Sequence, residues 1–484
     1  MDGKPFAIIE TDGHSGDAGT KTRVEAFLHC VAQDLPTGNP ALPARDFHQV
    51  EQRPASVLEI LRRGETLLIP WIGPNSPMIA ACFRGMGIPT ECLPLPDAEA
   101  LRHGRRHTSG KECLPMCLTL GNLLKRLEPE RGTDRRFAVL MTTTHGPCRE
   151  GTYNLLNQIT LERLGWTDRV RIWPPADTGY FDDMPGGLAA LVFATMVASD
   201  LLEAALHDIR PVEHRPGVAQ EIYDRHCARL LHRVEEAAAG DLSLPAALWQ
   251  VANGRLFGLT RLLAEAAREF SAVRTDRVLP TVLVVGEVYA RCEAFANNFI
   301  IEKLEARGLK ARLAPLSEWI EYTTLINRRK ADGLHLGERL SGFLQQRIQD
   351  LATKTVARPL RWAARSTAAE ALDAVKPYLS NELHGEAVLT VGGPLEEWRH
   401  GKIDAVVSVG PLECMPNKIA EAQLFHVAEQ EGLLALTLSL NGDQVDEEVL
   451  DNFAFEVFAR FNQRRAGPLQ ALQPDRCNEI RACP

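Results

Sequence analysis

Three cysteines of this 484-residue chain share a local setting that suits soft-metal chemistry. Cys148 follows the run FAVLMTT through the turn THGPC and precedes a helix-period stretch that Gly165 ends. Cys414 follows AVVSVGPLE and precedes MPNKIAEAQLFHVAEQEG, in which Pro416 suits a first helical turn and Gly432 a position just past the last one. Cys113, in SGKECLPMCLTLGNLLKRL, is followed by Pro115 and by a stripe of Leu120, Leu124 and Leu127. Each is therefore expected to end a strand and open a helix. A helix N-terminus carries about half a positive charge and unpaired N–H groups, which favour a thiolate or the sulfides of an anionic cluster. Three thiolates without a neighbouring fourth Cys or His suit an iron–sulfur cluster with one iron not held by cysteine better than a closed zinc site. The same placement also suits three buried thiols packed as small hydrophobes.

Other motifs carry less. Cys117 lies one helical turn after Cys113 in line with Leu120 and Leu124 and is expected in the core, while Cys292 follows the strand VLVVGEVY and can reach a crevice at its end. Either is a candidate for a fourth ligand, beside water, sulfide or substrate. The stretch GRRHTSGKE imitates a phosphate-binding loop, but it has one residue too many between its glycines and Glu112 in place of Ser or Thr. His103 and His107 have ligand-like spacing, yet they flank Gly104 and two arginines and read as a solvated loop. The chain has no GxSxG, HExxH or CxxC motif, so hydrolase and thioredoxin readings drop out.

The elements that must position these cysteines follow from apolar β-branched runs alternating with helix-period segments, the pattern of an α/β fold. Strands are expected at Phe6 to Glu10, Thr66 to Ile69, Ile88 to Leu93 and Phe137 to Thr142, then within 279–289, and at Ala387 to Val391, Ala405 to Val409 and Leu434 to Leu440. Between Gly186 and Val273 only helical spacing appears, and a further helical stretch covers roughly 331–378. The expected organisation is an N-terminal strand-helix segment (1–60), a first α/β domain carrying the helical block (61–275), a second α/β domain (276–466) and a tail (467–484). The two domains are expected to be Rossmann-like or flavodoxin-like, with parallel sheets. Ligands in such sheets bind beyond the carboxyl ends of the strands, so the cleft between the halves is the expected site, with Cys113 and Cys148 from one half and Cys414 from the other.

Composition narrows the class. With 54 basic and 63 acidic residues the formal charge is −9, which argues against a dedicated nucleic-acid binder. Apolar residues at 45% and charged residues at 24% are those of a folded globular protein. The longest apolar run, 186–199, is closed by Asp200, short of the roughly twenty residues a bilayer requires, so a buried helix rather than a membrane span is expected. No export signal opens the sequence, which places it in the cytoplasm and makes its eleven cysteines thiols or metal ligands.

At these residues the chain resembles the 2-hydroxyacyl-CoA dehydratase superfamily, in particular the C-terminal dehydratase-like module of large fusions with an acyl-CoA dehydratase activase. The stretches that carry the resemblance are IETDGHSGDAGTKTRVEAFL, GKECLPMCLTLGNLLK, TTTHGPCREGTYNLL, VGEVYARCEAFANNFIIEKLEARG and VGPLECMPNKIAEA. The family's cluster cysteines lie in such motifs, which carries the ligand role onto Cys113, Cys148 and Cys414. The resemblance implies a [4Fe–4S] cluster charged one electron at a time by a partner, an actin-like ATPase with its own cluster. No phosphate-binding loops of that ATPase are present here, so a separate activase is implied.

The implied reaction answers a chemical difficulty. The proton β to a thioester carbonyl is weakly acidic and the α-hydroxyl is a poor leaving group, whereas one-electron reduction gives a ketyl radical that expels the hydroxyl, after which the β-proton becomes acidic and the electron returns. His145, Glu287 and Asn298 are the candidate catalytic residues beside the cluster, with turn and capping roles as their structural alternative. Other readings are a double-cubane reductase of small molecules, a non-catalytic electron relay or scaffold that binds the activase, and a zinc module. An acyl-CoA is the implied substrate, although no basic cluster marks a phosphate site.

Overall fold

The computed structural model describes residues 55–330, 336–412 and 414–465, together with positions 24, 25, 27, 28 and 31. Among the described residues eight strands are formed: β1 (Thr66–Ile69), β2 (Thr90–Cys92), β3 (Phe137–Leu140), β4 (Val170–Trp173), β5 (Thr281–Gly286), β6 (Lys310–Leu313), β7 (Ala405–Pro411) and β8 (Leu434–Leu440). Before β4 lie helices α1 (Val57–Arg63), α2 (Asn75–Gly85), α3 (Ala98–Arg105), α4 (Leu114–Leu127) and α5 (Tyr153–Arg163). The helical block comprises α6 (Gly186–Ile209), α7 (Val218–Ala238), α8 (Leu244–Ala252) and α9 (Leu259–Val273). Around the later strands are α10 (Val288–Cys292), α11 (Ile300–Ala306), α12 (Leu316–Lys330), α13 (Leu336–Leu360), α14 (Ala368–Val375), α15 (Ala387–Arg399), α16 (Met415–Glu431) and α17 (Glu447–Arg465).

The strands make two parallel four-stranded sheets of the same topology, ordered β2-β1-β3-β4 and β6-β5-β7-β8. In each, the strand order reverses between the first strand and the third, β1 and β3 in one sheet and β5 and β7 in the other. Such a reversal splays the following loops apart and leaves a crevice at the carboxyl ends of those two strands. The central strands are covered on both faces, which is why TLLI and AVVSVGP are buried along their whole length. The largest apolar cluster joins Leu67 and Ile69 of the first sheet to Leu283, Val285 and Val406 of the second through Leu191, Val197, Leu230 and Leu263 of the helical block. The described residues from 55 to 465 accordingly form one compact unit.

Several expectations need correction. Ala387 to Val391 is not a strand: AVLTV opens α15, whose first six residues are all buried, and a short apolar run enclosed on every side has no periodicity to separate helix from strand. Strands β4 and β6 escaped notice because VRIW and KARL carry cations that the fold pairs internally. Arg171 bonds to Glu65 and Glu59, and Lys310 to Asp208. The apolar run 186–199 is the buried helix expected, and that helix continues beyond Asp200. Asp200 lies inside the 24-residue α6, accepting from Asn75 Nδ2 (2.6 Å) and the Ser317 amide (2.8 Å). By length and composition α6 is thus long and apolar enough to cross a membrane, but most of it is buried within the fold. The expected strand Phe6 to Glu10 and the tail from Gly467 lie outside the described residues.

Candidate metal centre

Cys113, Cys148 and Cys414 all occupy the residue that caps a helical N-terminus, and all three have extended backbone there. Cys113 caps α4 and Cys414 caps α16, each with a proline in the first turn. Cys148 caps the 3-10 turn Arg149–Thr152 that runs into α5, and its Sγ accepts from the Glu150 amide at 3.5 Å. Cys148 and Cys414 arrive on the loops after β3 and β7, one at the reversal of each sheet. Cys113 departs from the expected pattern, because the element before it is α3 rather than a strand.

Between the two sheets' carboxyl ends lies a cavity of about 190 Å³. Its lining includes Pro70 after β1, Thr142 and Cys148 after β3, Pro175 after β4, Glu287 after β5 and Leu316 after β6. Phe83, Trp173, Tyr180, Phe181 and Trp319 make one apolar wall, in which Trp319 Nε1 donates to Tyr180 OH (2.9 Å). Cys148 lines the cavity itself. Cys113 reaches it through Tyr153, whose hydroxyl lies 2.9 Å from Cys113 Sγ, and Cys414 reaches it through Glu386, whose Oε1 accepts from Cys414 Sγ at 3.6 Å.

Three carboxyl groups converge on the same space. Glu150, held by the Thr142 hydroxyl, is pushed up to about 7 by burial, and the charge of Glu287 adds to the push. Glu287 is likewise pushed up to about 7, by burial and then by Glu386. Glu386 is itself raised by burial. The thiols respond to the same neighbours: burial lifts Cys113 to about 11 and lifts Cys148 and Cys414 far above the usual thiol range, with Glu386 the next cause for both. Cys113 adds to the upward push on Cys414, and Cys113 and Cys148 both act on Tyr153. The three sulfurs thus share one electrostatic environment in which a free thiolate is disfavoured, and a bound cation would reverse that balance.

Gly286 makes the position of Glu287 attainable. Its φ of +117° belongs to glycine, and a Cβ there would stand 1.9 Å from the Val409 carbonyl oxygen. With β5 so close to β7, the Glu287 amide donates to that oxygen (2.9 Å) while its carboxylate caps α10 by accepting from Tyr289 and Ala290. His145 lines the mouth, largely exposed, with Nδ1 2.7 Å from Asp177 Oδ1, which leaves Nε2 open. Asn298 is not part of the lining. Its Oδ1 accepts from Lys303 Nζ and the Val445 amide, and its φ of +58° marks a turn.

Cys117 packs with Leu101, Leu114 and Leu118 in the core. Cys292 is lifted by burial, with Glu203 and Asp200 adding to the push against Arg291, and it is not part of the lining that Cys148 shares. Glu150, Glu386 and Tyr153 were not singled out by sequence reasoning. The first adjoins a cysteine motif without itself forming a recognisable pattern, and the other two acquire meaning only from the fold.

Among the described residues no three His, Cys, Asp or Glu side chains are drawn together closely enough to hold a metal ion. The donor set at the cavity, three capping thiols with carboxyls and a phenol around them, nevertheless fits a thiolate-held iron–sulfur cluster in its chemistry. No family model matches the chain, and no curated protein matches it at a significant level.

Proposed function

We propose that the chain is an iron–sulfur subunit of the 2-hydroxyacyl-CoA dehydratase type, with a [4Fe–4S] cluster held by Cys113, Cys148 and Cys414 and charged by a separate ATP-hydrolysing activase. The observation that carries this reading is an apolar cavity at the carboxyl ends of two parallel sheets that Cys148 lines directly, with Cys113 and Cys414, which also stand at helical N-termini, each one side chain away through Tyr153 and Glu386. The cluster, when bound, supplies one electron at low potential to a thioester.

The chain's own residues perform the remaining tasks. The aromatic wall receives a short acyl chain and excludes water, which strengthens every polar interaction inside. Glu150 and Glu386, shifted toward the protonated form by burial, face the thioester oxygen and the departing hydroxyl, and one of them gives that hydroxyl its proton so that it leaves as water. Glu287, poised near neutrality, accepts the β-proton at its carboxylate once that proton has become acidic. His145, fixed by Asp177, offers Nε2 to the substrate at the mouth.

The test uses protein purified without oxygen and reduced with dithionite. Addition of a 2-hydroxyacyl-CoA is expected to shift the cluster's EPR signal, and addition of free CoA is not. An unchanged signal at saturating acyl-CoA would count against the substrate assignment.

A further inference from the structure

A second and larger cavity, about 360 Å³, lies on the other side of α12 from the cysteines. Ser317 and Glu318 face it, whereas Leu316, Trp319 and Ile320 face the cysteine cavity. Along α6 the division repeats, with Val192 and Met196 on the cysteine side and Asp200, Glu203 and Asp208 on the other. A face of β5 and β6 and the helices α13 and α15 complete the wall. A volume of this size suits a small metabolite.

The charges inside are mostly matched. Lys310 pairs with Asp208 at 2.6 Å, Arg312 pairs with Glu397, and Lys402 bonds to the Ser366 hydroxyl at 2.9 Å. At the mouth, Arg274 bonds only to the Leu360 carbonyl, and neither it nor Arg361 meets a carboxylate among the described residues. Arg361 is held there with a φ of +56°, a strained backbone for a residue with a side chain. Deeper in, Gln349 Oε1 and Thr353 Oγ1, one turn apart on α13, have no hydrogen-bond partner, and Gln349 is only 4% exposed. A buried acceptor left unpaired costs about 1–3 kcal/mol, so a ligand with donors is favoured here. Burial and the nearby Asp200 push Glu203 up to about 8, so its carboxyl is largely neutral at pH 7 and adds little repulsion toward an anion.

We propose that this cavity is a second ligand site, for a small hydroxylated organic anion whose phosphate or carboxylate meets Arg274 and Arg361 and whose hydroxyls donate to Gln349 Oε1 and Thr353 Oγ1. Its occupant is separate from the thioester proposed for the cysteine cavity. Binding requires no cluster, so failure of either assignment leaves the other standing.

Isothermal titration of the full chain with sn-glycerol 3-phosphate and with D-glycerate, and with inorganic phosphate as control, tests the site. One of the two organic anions is expected to bind one per chain with Kd below about 1 mM, and whichever binds more tightly identifies the anionic group. Arg274→Gln with Arg361→Gln, both exposed positions, is expected to weaken binding at least about tenfold, as the loss of charge-assisted bonds requires. Gln349→Leu is expected to weaken binding of the organic anion that binds, and unchanged affinity would count against the hydroxyl contact. Absence of saturable binding by either, inorganic phosphate binding as tightly as they do, or unchanged affinity in the double-arginine variant would overturn the proposal.

Discussion

Cys113 bonds to Tyr153 and Cys414 to Glu386, and both of those side chains line the cavity that Cys148 also lines. If the three cysteines act as one ligand set, Cys113→Ala, Cys148→Ala and Cys414→Ala should each lose most of the bound iron, while Cys117→Ala, altering a core side chain, keeps it. Iron analysis after anaerobic purification decides this, and loss confined to Cys117→Ala would overturn the assignment. Glu287 gives a second prediction at this scale. Its carboxyl titrates near 7 in the fold, above the ordinary 4.5, so the folded state binds that proton more tightly than the unfolded chain does. The stabilisation is complete below about pH 4.5 and is lost as pH rises through about 7, to an extent on the order of 3 kcal/mol. Urea unfolding of metal-free protein at pH 5 and pH 8 should show a smaller loss of stability for Glu287→Gln than for the unaltered chain; equal losses would contradict the electrostatic account.

The loops and helices that bring these groups together depend on close backbone approaches. Gly286→Ala places a methyl against the Val409 carbonyl and a side chain at positive φ, and is expected to destabilise the protein by about 3 kcal/mol or more, read as a lower urea midpoint. A midpoint unchanged from that of the unaltered chain would mean that β5 and β7 need not approach as described. Much of this architecture was legible in the sequence. Thr66–Ile69 and Leu434–Leu440 match their expected bounds because each is a short apolar-rich run between turns, and the capping places of Cys113 and Cys414 were legible because a proline follows each, with a leucine stripe after the first and Gly432 closing the helix after the second. What escaped was whatever depends on distant partners. Arg171 and Lys310 disguise two strands because Glu65 and Asp208, far away in sequence, neutralise them. Asp200 marks only the end of an apolar run until Asn75 and the Ser317 amide are beside it. Glu386 joins the cavity only because α15 begins where the α16 cap arrives, a meeting no local pattern announces.

For the molecule as a whole, the cavity with the cysteines draws on both sheets, and one apolar cluster runs between them through the helical block. Near residue 275 the chain is also pinned, since the Thr275 amide donates to the Val212 carbonyl and the backbones of Glu213 and Arg274 pair as a single antiparallel bridge. Separate halves, 55–275 and 276–465, should therefore hold no stable cluster after reconstitution with iron and sulfide, whereas the full chain should. A cluster retained by either half would refute the shared site. The most direct measurement is iron and acid-labile sulfide per chain, with an EPR spectrum of the dithionite-reduced protein, after purification without oxygen. The account predicts about four irons and four sulfides with a reducible paramagnetic signal. About eight irons would replace the single cluster with a double cubane, and absence of iron under conditions that preserve a known cluster protein would contradict the central claim.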